Sequence, residues 1–313
     1  VKKKFKIIFM GTPDFSVPAL KALHKSGQQV DLVVTRPDQP SGRGKIISYS
    51  PVKKEAIKLG YEVIQPDSIK TKAFEERLSR TEPEFFVVVA FGHILPKNIL
   101  AIPKIAAINI HASLLPKYRG AAPIQWAVIN GEKETGVTTM LMDEGMDTGD
   151  ILLVSKVGIE PDDTSETLHD RLAVRGADIL IKTLNAFETG DIRPVSQDHS
   201  QATHAPSLKK SDGHIDWEKP AEKLESFIRG VTPWPGAFTF HGDMRLKIFR
   251  AKPLPIDVDK PPGTVLDGFP DELWIATGEG ALSILEIQAA SGKRLSIKEF
   301  LKGYRITPGT VLR

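Results

Sequence analysis

There is no cysteine among the 313 residues of the chain, and that absence removes disulfides, thiolate nucleophiles and zinc sites built on sulfur. A metal would have to rest on histidines and carboxylates, yet no His-Glu-x-x-His pair occurs and the eight histidines stand singly. No bound metal is expected. Long apolar runs are missing too: Phe85 to Phe91 and Ile105 to Ile110 fall far short of the roughly 20 residues that cross a bilayer. The segment Phe5 to Met10 alternates into a glycine turn without the apolar core and small-residue cleavage site of a secretory signal. A cytoplasmic protein with no membrane segment is expected. An excess of charge of one sign is nearly absent, with 42 basic residues against 39 acidic ones and a net of +3, so the chain as a whole gives little sign of a nucleic-acid partner. No low-complexity tract occurs, and 41% hydrophobic with 26% charged residues is an ordinary globular composition. The length exceeds what one core usually organises and suggests two domains.

The first two thirds alternate apolar, strand-like runs with helical stretches. Lys6 to Met10, Val30 to Thr35, Tyr61 to Ile64, Phe85 to Ala90 and Ala106 to His111 read as strands. Val17 to Lys25, Val52 to Leu59 and Thr71 to Arg80 read as helices, the first two stopped by Gly27 and Gly60. Continuously apolar strands separated by helices imply an α/β fold with a doubly wound, mainly parallel sheet. Ligands in such sheets sit at the carboxyl ends of the strands, where Gly11, Thr35, Phe91 and His111 fall. A long helical stretch from Thr164 to Phe187 is followed by residues 190–211, rich in Gly, Pro, Ser, Thr and His, which read as a linker. Beyond it come one helix, Ala221 to Gly230, and short strand-like runs at Ala237 to Phe240, Arg245 to Ala251, Gly263 to Leu266, Glu272 to Ala276 and Ala281 to Ile287. That pattern suggests a small OB-like β-barrel over residues 212–313. From Pro206 onward 16 basic residues face 14 acidic ones, a balance that does not by itself indicate RNA.

Gly11-Thr12-Pro13-Asp14-Phe15 follows the first strand where a dinucleotide-binding chain carries GxGxxG, but the second and third glycines are missing. Pro13 has no N–H to offer a phosphate, so no nicotinamide or flavin is expected. The turn is either a plain strand-to-helix connection or a substrate contact. The polar loop from Thr35 to Lys45 is richer in positive charge than the chain as a whole. Between Arg36 and Lys58, Arg36, Arg43, Lys45, Lys53, Lys54 and Lys58 stand against Asp38 and Glu55. Gly42 and Gly44 flank Arg43 and permit close approach, so the loop is either a solvated surface or a phosphate-binding finger.

Strand alternation puts Asn109 and His111 on one face of their strand, two residues apart at its carboxyl end. An amide beside an imidazole can polarise a carbonyl and hold an oxyanion, although strand-end Asn and His are commonly ordinary hydrogen-bonding groups. The irregular stretch from Ser113 to Gly120, apolar and then basic, favours a site. Asp143, Glu144, Asp147 and Asp150 crowd into eight residues in an order that does not match a calcium loop. They form a solvated acidic turn, or one of them turns inward against His111 and orients its ring.

These residues together resemble the folate-dependent formyltransferases, and among them those acting on a charged tRNA. Asn109, His111, the Ser-Leu-Leu-Pro-Lys-Tyr-Arg-Gly run of residues 113–120 and Asp147 in Met-Asp-Thr-Gly-Asp carry the likeness. Phe9 to Phe15, the Arg36 to Lys45 loop, Gly120 to Gln125 and Thr232-Pro233-Trp234-Pro235 extend it over essentially the whole chain. The resemblance implies a Rossmann-like catalytic domain (1–189), a linker (190–211) and an OB-like tRNA-binding domain (212–313). It implies 10-formyltetrahydrofolate as donor and the amine of charged initiator methionyl-tRNA as acceptor, with the chain acting as a monomer. Carried across by position, Asn109, His111 and Asp147 are the catalytic residues. Ser113, Leu114, Leu115 and Pro116 contact folate, and backbone from Phe91 through Gly92 and Ile94 to Leu95, with that around Asp143, holds the pterin. His93 is given no catalytic part. Arg43 and Lys45, with Lys209 and Lys210, are the expected tRNA contacts. The competing expectations are a formyltransferase acting on a small-molecule amine, and a non-catalytic RNA-binding protein. Against the first, relatives that modify amino sugars usually carry a further enzymatic domain, whereas this sequence ends at Arg313.

Overall fold

A computed structural model of the chain describes residues 3–41, 46–268, 270–290 and 292–313. The chain gathers into two compact units, one of Val1–Pro123, Glu134–Gly158 and His169–Ala205, the other of Ile124–Lys133, Ile159–Leu168 and Pro206–Arg313.

The strands of the first unit are β1 (Lys6–Gly11), β2 (Gln29–Val34), β3 (Gln39–Ser41), β4 (Ile46–Ser48), β5 (Val63–Ile64), β6 (Phe85–Val89), β7 (Ala106–His111), β8 (Glu134–Leu141) and β9 (Ile151–Gly158). Seven of them form one sheet in the order β5-β2-β1-β6-β7-β8-β9. The run from β5 to β7 is parallel, and β8 and β9 are added antiparallel. Strands covered on both faces need no polar side, and every residue of Phe-Phe-Val-Val-Val in β6 is buried. The strand order reverses between β1 and β6, whose carboxyl ends meet in the Gly11–Val89 pair. This topological switch point opens the crevice in which open α/β sheets take ligands, and β7 with its Asn109 and His111 runs next to it.

The helices up to residue 189 are α1 (Val17–Lys25), α2 (Pro51–Lys58), α3 (Lys72–Ser79), α4 (Lys97–Leu100), α5 (Pro123–Ile129) and α6 (Ser165–Thr189), of which α5 after Pro123 and the start of α6, as far as Leu168, belong to the second unit. Their ends follow local chemistry. Ser50 Oγ accepts the N–H of Lys53 at 3.1 Å and Thr71 Oγ1 that of Phe74 at 3.2 Å, each satisfying a donor the first turn leaves unpaired. Gly27 and Gly60, with φ of 73° and 78°, take the left-handed geometry that stops α1 and α2. Among the described residues no helix is long and apolar enough to cross a membrane. Residues 190–205 belong to the first unit, where Val195 bridges Ile151 and His204 bridges Arg119.

The second unit has helix α7 (Ala221–Gly230), strands β10 (Ala237–His241), β11 (Met244–Leu254), β12 (Leu273–Ala276), β13 (Ala281–Ala289) and β14 (Leu295–Ser296), and helix α8 (Ile297–Gly303). The strands form an OB-like antiparallel sheet in the order β10-β11-β13-β12, with β14 on β13. Strand β11 serves β10 with its first half, and its pairing to β13 slips between Ile248 and Ala251, the kind of bulge that bends a strand and curls a sheet. Leu224, Ile228, Leu246, Ile248, Ile275 and Ile284 pack the interior, and the buried Trp217 indole N–H donates to Thr239 Oγ1 at 3.0 Å. Gly263 to Leu266, expected as a strand, makes only single bridges, Thr264 to Val311 and Val265 to Ile275. The C-terminal residues take part of its pairing: Val265 N–H donates to Thr310 O and Leu312 N–H to Gly263 O, both at 2.8 Å. The fifth strand is instead Leu295–Ser296.

Candidate active site

Strand β7 ends between β6 and β8, with Asn109 opposite Met140 and His111 opposite Thr138. His111 is only 6% exposed. Its Nε2 lies 2.9 Å from the carbonyl oxygen of Tyr118. A carbonyl can only accept, so Nε2 carries the proton and donates. The other ring nitrogen, Nδ1, lies 3.6 Å from Asp147 Oδ1, and Asn109 Nδ2 donates to that same oxygen at 3.5 Å. The second carboxylate oxygen accepts the N–H of Gly120 at 2.8 Å. Asn109, His111 and Asp147 therefore meet around one carboxylate, although 36 residues separate His111 from Asp147 in the sequence.

Asp147 reaches inward from a loop whose tip, Glu144 to Met146, is exposed. Its own backbone has a φ of 55°, a left-handed conformation that an ordinary L-residue adopts only at a cost of about 1 kcal/mol. The surroundings must hold it there. Asp143 turns back on its own loop, its Oδ1 accepting from Gly145 N at 3.0 Å and Thr148 Oγ1 at 2.7 Å.

The run after His111 is sewn to β8. Thr138 Oγ1 donates to Ser113 O at 2.7 Å and accepts from Leu115 N at 3.3 Å. Ser113 Oγ donates to Lys117 O at 2.6 Å, which occupies the hydroxyl within the loop. Ser113 and Leu115 are buried, while Leu114 and Pro116 are half-buried. At the end of β6, Phe91 and Leu95 lie in the core, Ile94 is 60% exposed, and the Gly92 carbonyl accepts from Arg36 Nη2 at 3.4 Å. Thr12 Oγ1 donates to Phe91 O at 3.4 Å, joining the turn after β1 to this segment. Burial and the nearby Arg36 guanidinium push the His93 imidazole below its ordinary range.

Arg43 and Lys45 lie outside the described residues, as do Gly42 and Gly44. The strands on either side, β3 and β4, pair antiparallel from Gln39–Ser48 to Ser41–Ile46. A polar clasp holds the base of this segment. Lys53 Nζ contacts Asp38 and donates to Gln65 Oε1 at 2.6 Å, while Gln65 Nε2 donates to Asp38 Oδ1 at 2.8 Å and to Arg36 O at 2.7 Å. The hydrogen bonds from Lys53 and Gln65 hold the Asp38 carboxyl below its usual range. Lys209 and Lys210 are exposed in the second unit.

Reading the sequence missed Arg119, Gln197 and Thr203. Gln197, 6% exposed, donates from Nε2 to Asp147 O at 3.0 Å and to Gly149 O at 2.7 Å, and its Oε1 accepts from Arg119 Nε and Nη2 at 3.2 and 2.7 Å. Thr203 Oγ1 accepts from Tyr118 N at 2.8 Å. The lack of apolar periodicity over 190–205 hid these contacts. The one available signal was Arg119 itself, a long cation directly before a glycine that closes the site.

Two family models match the chain: Formyl transferase over residues 3–184 and Formyl transferase, C-terminal domain over residues 207–305. A methionyl-tRNA formyltransferase of Caldanaerobacter subterraneus subsp. tengcongensis is 50% identical over 309 residues, covering 98% of this chain and 100% of that relative. In fold, the chain is similar to a methionyl-tRNA formyltransferase from Clostridium thermocellum, with a TM-score of 0.55 and 21% identity over 82% of this chain and 95% of the other. HypX from Aquifex aeolicus in complex with tetrahydrofolic acid superposes with a TM-score of 0.63 at 18% identity, over 99% of this chain and 51% of that one.

Proposed function

The chain belongs to the formyl transferase family, and from that premise we infer that it transfers the formyl group of 10-formyltetrahydrofolate to the α-amino group of initiator methionyl-tRNA. The product, N-formylmethionyl-tRNA, serves translation initiation. The observation that carries the chemistry is the single carboxylate of Asp147, held by the Gly120 N–H, against which both Asn109 and His111 are set. The acceptor rests on the full-length relationship to a methionyl-tRNA formyltransferase.

In the reaction the amine forms a C–N bond to the formyl carbon, and the bond from that carbon to N10 of the folate breaks. Between these events the formyl oxygen carries negative charge. Asn109 Nδ2 has a second N–H to offer it beyond the one turned to Asp147. The charged oxygen is a stronger acceptor than a neutral carbonyl, so it competes with Tyr118 O for the Nε2 proton of His111. Nδ1 of His111 and the Asp147 carboxylate face each other and together take up the proton the attacking amine releases, and an equivalent proton passes to N10 as the folate leaves, so the enzyme ends in its starting state. Phe91, Gly92, Ile94 and Leu95, the Ser113 to Pro116 run and the backbone around Asp143 would hold the folate. Ser113 Oγ spends its proton on Lys117 O and Asp143 Oδ1 accepts within its own loop, so shape and backbone groups are the main means proposed. We assign the chain to the cytoplasm, acting as a monomer. The direct test is incubation with 10-formyltetrahydrofolate and charged methionyl-tRNA, with recovery of N-formylmethionine from the tRNA expected and an unmodified amine contradicting the assignment.

Arg43 and Lys45 are proposed to meet the phosphates of the acceptor end, and Lys209 and Lys210 to add weaker contacts. Arg43→Ala is then expected to raise KM for the charged tRNA, to lower kcat if the amine is displaced, and to leave folate binding alone. Its tRNA binding should show a salt slope smaller by about one. Steady-state kinetics at two salt concentrations, beside equilibrium folate binding, check this. Parent-like tRNA kinetics at both would return the loop to a solvated surface, and a parallel loss of folate affinity would make it part of the donor site.

A further inference from the structure

The carboxylate of Asp147 does not hold its own position. Its loop is exposed at the tip and its backbone is left-handed, so its placement depends on donors from elsewhere in the chain. Three are present: Asn109 Nδ2 on Oδ1 at the longer distance of 3.5 Å, Gly120 N–H on Oδ2, and the buried amide of Gln197 on the main-chain oxygen of Asp147 itself. The orientation of that amide is forced by its neighbours. Two carbonyls, of Asp147 and Gly149, lie on one side and a guanidinium on the other, so only the NH2 group can face the carbonyls.

Arg119 is 5% exposed, and its side-chain hydrogen bonds go to Gln197 and to His199 Nδ1 at 3.0 Å, neither of them a carboxylate. Burying a guanidinium against neutral partners is costly unless the geometry serves something. The backbone around Arg119 supplies that purpose. The preceding residue offers the carbonyl that accepts from His111 Nε2–H, and the following one offers the N–H that holds Asp147. Arg119 N–H donates to Thr203 O at 2.8 Å, and Ala205 N–H donates to Arg119 O at 2.7 Å. The Arg119–Gln197 pair thus ties together the two loops that flank His111, one presenting Tyr118 O and Gly120 N, the other presenting Asp147.

We propose that Gln197 and Arg119 are positioning residues that set the rate of formyl transfer by fixing Asp147 against Asn109 and His111, without touching either substrate. This rests on the functional reading above. The test is Gln197→Glu, which can still accept from Arg119 but offers no N–H to Asp147 O or Gly149 O. It is measured alone and in an Asp147→Ala background, with enzyme in excess where turnover is slow. Alone, kcat is expected to fall by about 10- to 100-fold while KM for both substrates stays within about twofold. In the Asp147→Ala background the same change should alter the rate by no more than about twofold, because a residue acting through Asp147 has nothing left to act through. Gln197→Met, measured in the same way, guards against a folding failure peculiar to the glutamate. Hydrogen–deuterium exchange on the same proteins should quicken over residues 143–150 and leave β6 and β7 unchanged. Parent-like kcat in both variants, an undiminished loss in the Asp147→Ala background, unchanged exchange over 143–150, or failure of both variants to fold would each overturn the proposal. If the parent itself transfers no formyl group, the functional reading fails, and the exchange measurement still decides whether Gln197 positions the loop.

Discussion

His111→Ala and Asn109→Ala are each expected to lower kcat by about 10² or more, roughly 3 kcal/mol of transition-state stabilisation, with KM for folate and tRNA nearly unchanged. Asn109 brings an amide with one N–H on Asp147 and one to spare. His111 brings a ring whose Nε2–H donates to Tyr118 O and whose Nδ1 faces the carboxylate. What each donates matters most when the formyl oxygen carries charge, so the loss should fall on the rate and not on ground-state binding. His111→Ala also leaves the Tyr118 carbonyl without its donor, so a thermal melt must accompany the kinetics. A folded variant that keeps more than about a tenth of the parent kcat would remove that residue from the mechanism.

Asp147→Asn is expected to reduce kcat by about 10² or more for a different reason. The amide oxygen can still accept from Gly120 N–H. Its NH2 group then faces the Asn109 amide and His111 Nδ1, where the parent has a carboxylate oxygen at 3.5 and 3.6 Å. The shape survives, but the negative charge and the acceptor are lost. The loop should keep its place through the Gln197 bond to Asp147 O, so folding should be close to the parent's. Steady-state kcat at saturating substrates, beside a thermal melt, measures both. Parent-like turnover would mean that Asp147 belongs only to an acidic surface turn.

What the residues revealed in advance followed from local physics. The bounds of β7, α1 and α7 could be read because apolar periodicity and turn residues mark them: Gly27 stops α1, and the alternation from Ala106 runs to His111. Asn109 and His111 were visible for the same reason, being two residues apart on one strand face. Asp147 was not reachable by spacing and came through the family resemblance, because its approach to His111 is a long-range contact made by a loop. Gln197 gave no signal at all, since an irregular segment reveals its partners only once the sheet has brought them near. Strand β9 alternates weakly and α5 has only seven residues, too few for a helical period to stand out. Gly263 to Leu266 has strand-like residues, but the chain end competes for its backbone groups.

Acceptor choice separates formylation of a charged tRNA from formylation of a small amine most directly. With 10-formyltetrahydrofolate as donor, kcat/KM would be measured for charged methionyl-tRNA and for small-molecule amines, free methionine and an amino sugar nucleotide among them. The predicted result is formylation of the α-amino group of methionyl-tRNA with a preference of about a hundredfold or more over any small amine, lost together with Asn109, His111 or Asp147. Equal or better use of a small amine, or formyl transfer that survives the removal of His111 and Asp147 together, would contradict it.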